Sequence, residues 1–176
     1  MKVTLFALLT CLGGSVFCQQ PMHPVIKGYG GIYDIPGATV KVDTGQFYKI
    51  VIDVVTGADD PDEIAWGLKN VARMINLHAI SGLDPSRMHV VLAIHGRAAY
   101  AVMNNQAFKK RFEGDNPNIG LIRELEQAGV RLTVCGQSLI GRGIEPGSVL
   151  PSVEMATSML TTVTTYQLKG YAMLKF

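Results

Sequence analysis

Cys135 and His95 are the side chains best placed by type and context to do chemistry. Each closes a short apolar run and each is followed by glycine: Val130-Arg131-Leu132-Thr133-Val134-Cys135-Gly136-Gln137-Ser138 and Val90-Val91-Leu92-Ala93-Ile94-His95-Gly96. A thiol is a nucleophile only as its thiolate, and nearby cations or helix N-termini favour that form. Gly136 lets backbone approach the sulfur, and Gln137 and Ser138 add N–H groups and polar side chains that could hold a negative charge. Arg142 is a candidate cation, and His95 with Gly96 supplies a candidate base or sulfur-anion partner. Plainer readings stand beside these. A lone cysteine is often a small buried hydrophobe, a strand-end histidine often bonds only to a turn, and a loop arginine is often only solvated.

The elements that must carry these residues follow from hydrophobic patterning. Phe47–Val55 is a near-continuous β-branched run, as expected of a strand buried on both faces. Met88–His95, Val130–Cys135, Val153–Ala156 and Tyr171–Phe176 read as further strands. Between the first two, Asp60-Pro61-Asp62-Glu63 reads as a helix start, with Ile64, Leu68, Val71 and Ile75 as one apolar stripe. Ala98–Phe112 reads as helix interrupted near Asn104-Asn105. Asn116-Pro117 reads as a helix start, Leu139–Leu150 as a loop and Ser158–Lys169 as a helix. Strands alternating with helices predict an α/β fold, a mainly parallel sheet of about five strands flanked by helices on both faces. If the first three strands are parallel, Thr56-Gly57, His95-Gly96 and Cys135-Gly136 share the carboxyl edge, where such sheets bind ligands.

At 176 residues, with 48% hydrophobic and 17% charged, the chain has the size and composition of one globular domain. A net charge of +2, without basic runs, argues against nucleic acid as a partner. His23, His78, His89 and His95 are scattered, and no CxxC or HxxxH spacing suggests a metal or a dithiol. No dinucleotide fingerprint and no nucleophile elbow is found, so no cofactor is expected.

Residues 1–18 read as a signal peptide: Lys2, then the apolar Val3–Leu12, then Gly13, Gly14, Ser15 and Cys18 as small residues near a cleavage point. The mature chain is then expected to be periplasmic or secreted, with no integral membrane segment. A lipidated Cys18 fits less well, because Phe17 stands where a lipoprotein signal prefers a small residue. Cys11 and Cys18 would leave with the leader, and Cys135 would have no disulfide partner within the chain. Residues 19–46, rich in glycine and proline yet carrying Val25, Ile26, Tyr29, Ile32, Tyr33 and Ile35, read as an arm that wraps the core or a neighbouring subunit. Val40-Lys41-Val42 could add an edge strand.

At these same residues the chain resembles the DsrE/DsrF-like, or YchN-like, family. The resemblance runs over about residues 47–176. Its pieces are Tyr48–Asp53, Val90–Ala98, Gly129–Leu139 and the ending Gly170-Tyr171-Ala172-Met173. It implies a three-layer α/β sandwich assembled as a trimer or hexamer, and a cysteine, here Cys135, that carries sulfur as a persulfide. Arg142-Gly143-Ile144 looks like the Arg-Gly-apolar piece that follows that cysteine in the sulfur-relay members. Donor and acceptor proteins or small thiols would then be the partners. Export and the added arm depart from the best understood relatives. Two other uses remain open: a non-catalytic small-ligand-binding or assembly module, and a redox sensor.

Overall fold

The computed structural model describes residues 19–176; the signal-peptide reading of residues 1–18 lies outside them. Five strands form one parallel sheet: β1 (Tyr48–Val54), β2 (Met88–Ile94), β3 (Arg131–Cys135), β4 (Glu154–Ala156) and β5 (Ala172–Lys175), in the order β4-β3-β2-β1-β5. The central strands β1 and β2 pair over their whole length, Tyr48 opposite Met88 through Val54 opposite Ile94.

The two faces of the sheet are covered very differently. Ile50, Ile52, Val54, Val90, Leu92, Ile94, Leu132 and Val134 point to one side. There they meet α1 (Trp66–Ile80), α2 (Asn105–Phe112) and α3 (Ile119–Gln127) in the main core. On the other side Val51, Val91 and Ala93 pack on α5 (Met159–Leu168), through Val163, Met159 and Tyr166, and on Tyr171 just before β5. Alternation along each strand puts Asp53, Thr133 and Cys135 on this second, thinner side.

Four local expectations are corrected. The acidic Asp60–Glu63 segment is a turn closed by Asp60 accepting from the Asp62 N–H at 3.0 Å, and α1 begins later, at Trp66. Its first N–H groups are taken by the Gly57 and Thr56 carbonyls, so β1's own exit loop supplies the cap. Similarly, Asn116 accepts from the Asn118 N–H, and α3 begins only at Ile119. Residues after Cys135 do not form a loop at once: α4 (Gly136–Arg142) continues directly from β3 and stops at Gly143 in the left-handed region. Val40–Val42 forms no strand and joins neither edge of the sheet, β4 or β5.

The arm folds back on its own chain. Met22 and Ile32 bridge antiparallel, and Ile26 and Ile32 are buried. Asn76 of α1, fully buried, holds it: its Oδ1 accepts from the Val25 and Ile26 N–H groups, and its Nδ2 donates to the Tyr29 and Gly30 carbonyls. No helix among the described residues is long and apolar enough to cross a membrane.

Candidate functional site

The carboxyl ends of β1, β2 and β3 do share one edge, and two of its turns need glycine. Gly96 has φ +55°, and a Cβ there would stand 2.8 Å from the Val55 side chain. A Cβ on Gly136 would stand 3.0 Å from the Ala156 carbonyl oxygen, so glycine lets the end of β4 close over the Cys135 turn. The two turns are tied to each other, because the Gly96 N–H donates to Ser138 Oγ at 3.1 Å.

Cys135 is the free cysteine of the described residues. It ends β3 and serves as the residue before α4. Its side chain is not lifted clear of the sheet: the residue is only 4% exposed. The cause is α5, whose first turn lies over it, with Cys135 Sγ 3.9 Å from Ser158 Oγ. This enclosure is polar. Burial pushes the thiol up, but the Met159 backbone N–H, the Ser138 hydroxyl and N–H, and the Ser158 hydroxyl together outweigh it, holding the thiol below its ordinary value. Ser158 is the capping residue of α5, its Oγ also accepting from the Leu160 N–H. The sulfur therefore sits where the N-terminal ends of α4 and α5 meet.

His95 stands one residue beyond Ile94, and Ile94 pairs with Val134, so His95 and Cys135 are level on adjacent strands. Parallel neighbours lie about 4.8 Å apart. Its Nε2, however, bonds Asp53 Oδ1 on β1 rather than the sulfur. Asp53 is 2% exposed and takes a second partner, Lys175 Nζ of β5, at 3.3 Å from Oδ2. Cys135, His95, Asp53 and Lys175 thus form a row across four neighbouring strands on the thin face.

Of the other expected residues, Gly96, Gly136 and Ser138 adjoin the thiol turn. Gln137 is exposed on α4. Arg142 is not brought to the sulfur: it lies over the Tyr100 ring, 5.2 Å from its centroid, with Arg111 also on that ring at 4.8 Å. Asp53, Lys175 and Ser158 were missed. Asp53 had a legible signal, an acid inside the β-branched run of β1; the other two had none beyond a strand-end lysine and a capping serine. Among the described residues no cluster of three or more His, Cys, Asp or Glu could hold a metal. A hollow of about 140 Å³ on the opposite side of the same sheet edge is lined by Gly57, Arg97, Tyr100, Phe108 and Phe112, and excludes the thiol.

Comparison with known proteins fits this architecture. The family model described as DsrE/DsrF-like matches residues 49–176. A protein of unknown function from Methanobacterium thermoautotrophicum, MTH1491, is similar in structure, with a TM-score of 0.53 and 18% identity over 73% of this chain and 99% of that one. The ychN protein from E. coli superposes with a TM-score of 0.49 and 25% identity, over 73% and 99% of the two chains. No functionally curated protein matches the sequence.

Proposed function

Because the chain belongs to the DsrE/DsrF-like family, a membership that suggests sulfur relay at the level of the family, we propose that it carries sulfane sulfur as a persulfide on Cys135 and passes it to an acceptor. The observation that carries this reading is the polar seat of the sulfur: backbone N–H groups and hydroxyls from α4 and α5 favour its thiolate despite burial. The exchange is balanced without an oxidant. The Cys135 thiolate attacks the outer sulfur of a donor R–S–SH, the new Sγ–S bond forms as the donor S–S bond breaks, and RS⁻ leaves with the proton that Cys135 gave up. The same attack by an acceptor thiolate on the Cys135 persulfide discharges it. His95 is the group on this edge suited to hold the proton in between. With Cys135 only 4% exposed, small donors such as hydropolysulfide are favoured over a protein persulfide.

On this reading the protein works outside the cytoplasm, after removal of residues 1–18. It needs no cofactor, and it functions as a homo-oligomer, a trimer or hexamer. Exposed apolar side chains near the thiol support assembly: Met155 at 60%, Leu160 at 67% and Ile140 at 78%. The same patch, and the separate hollow beside Tyr100, favour the second reading, a non-catalytic assembly or small-ligand-binding module.

Intact-mass measurement after exposure to polysulfide separates the two. Sulfur relay predicts added mass of one sulfur on Cys135, absent in Cys135→Ser and discharged by a small thiol. A folded protein that gains no sulfur on Cys135 ends the relay reading.

A further inference from the structure

We propose that Asp53 is a positioning residue for the thiol: it holds His95 in the one tautomer that leaves Nδ1 free to take the Cys135 proton. Asp53 is a carboxylate buried in β1, on a face whose other inward residues include the apolar Val51, Val91 and Ala93. Burying a charge there is costly unless it is paired and hydrogen-bonded. The fold pairs it from both sides, with His95 reaching across from β2 and Lys175 from β5.

Opposite a carboxylate, the bonded ring nitrogen must carry the hydrogen. Nε2–H therefore faces Asp53, and Nδ1 is the basic nitrogen. Among the described residues Nδ1 has no hydrogen-bond partner, nor is it among the sealed, unpartnered polar atoms, so it remains open to a neighbour or to solvent. The ionisable groups facing His95 are Asp53 from β1, Lys175 through that same carboxylate from β5, and Cys135 level with it on β3. α5 brings Met159, Val163 and Tyr166 to this face, of which only Tyr166 is ionisable. Arg97, on the following turn, is directed away to Ala58 and Asp59. A proton leaving Sγ for Nδ1 makes an imidazolium that the Asp53 carboxylate stabilises while itself staying ionised. The leaving thiolate recovers that proton, and Asp53 ends as it began.

The inference rests on the sulfur-relay reading for its purpose, but its test reads the thiolate directly. The rate of Cys135 alkylation by iodoacetamide, followed by intact mass across pH 5–10, reports how much thiolate is present whether or not sulfur is ever carried. Asp53→Asn is expected to move the profile to higher pH by roughly one unit and to slow alkylation at pH 7 about tenfold. His95→Gln should do the same, and the double variant should be no slower than either alone. Asp53→Glu, which keeps the charge and guards against a misfolded amide variant, should restore much of the rate. An unmoved profile in folded Asp53→Asn would overturn the assignment, as would an Asp53→Asn effect that persists undiminished in the His95→Gln background. Persulfide uptake failing in wild type while the alkylation profile shifts as expected would remove the relay reading and leave the Asp53–His95 assignment standing.

Discussion

The two faces of this sheet divide the work of folding from the work of chemistry. One face meets three helices and buries Leu92, Leu121, Leu125 and Leu132 almost completely. The other meets a single helix through a small cluster around Val51, Val91, Ala93 and Val163, and its remaining inward positions are Asp53, Thr133 and Cys135. Polar groups can be afforded where apolar contact is already sparse and where hydrogen-bond partners lie at a sheet edge. The contrast predicts that stability and reactivity are lost at different positions.

The largest effect is expected on the thick face. Leu92→Ala removes a fully buried side chain from the centre of the main core and should cost about 3 kcal/mol in urea unfolding. Val163→Ala on the thin face should cost roughly 1–2 kcal/mol. Equal losses would mean that α5 contributes as much to the core as the three-helix layer and would break the comparison.

Next comes the arm. Asn76→Ala leaves the Val25 and Ile26 N–H groups and the Tyr29 and Gly30 carbonyls without their partner, and should cost about 2 kcal/mol. Faster amide exchange confined to residues 22–32 would mark the loss as release of the arm. Exchange spreading to α5 would show that the arm also supports the thin face.

How far the sequence reveals this arrangement depends on whether the signal is periodic or relational. The β-branched run before Thr56 and the alternation before Cys135 identify parallel strands, and glycine after each marks the edge. Strand order is relational, set by which crossovers pack, and only it puts His95 beside Cys135. The Asp60–Glu63 turn misleads because capping chemistry is recognised locally, whereas the real cap of α1 comes from the Thr56 and Gly57 carbonyls. Gly141 and Gly143 make α4 look like loop, although only Gly143 ends it. The cover that α5 lays over Cys135 is a tertiary contact with no local mark at residue 135. Asp53 was legible as an acid in the β-branched run of β1, yet its partners at His95 and Lys175 appear only once three strands are side by side.

A smaller effect is expected where β4 joins the sheet edge. Arg131 holds Glu154 through two hydrogen bonds, at 2.9 and 2.7 Å, and also donates to the Tyr166 hydroxyl at 2.7 Å. Both ion-pair side chains are more than half exposed, so Glu154→Ala should cost no more than about 1 kcal/mol, and less at high salt. A larger loss, accompanied by faster alkylation of Cys135, would sharpen the comparison by showing that the β4–α5 edge serves mainly as the lid over the sulfur.

The smallest effect carries the most information about the thin face, because it links its chemistry to its stability. Burial opposes ionisation of Cys135, but the N–H groups and hydroxyls of Met159, Ser138 and Ser158 prevail, and the folded thiol lies below its unfolded value. A group depressed on folding stabilises the native state fully above its unfolded pKa of about 8.5, and that contribution disappears as pH falls through the folded pKa. The stability of wild type relative to Cys135→Ala should therefore rise with pH up to about the unfolded value and then level off, measured as paired urea unfolding curves. Leu92→Ala, which removes no ionisable group, should show a constant deficit over the same range. If the Cys135→Ala difference instead fell as pH rose, desolvation would be winning at the sulfur, and the thin face would be a second apolar layer rather than a seat for an anion.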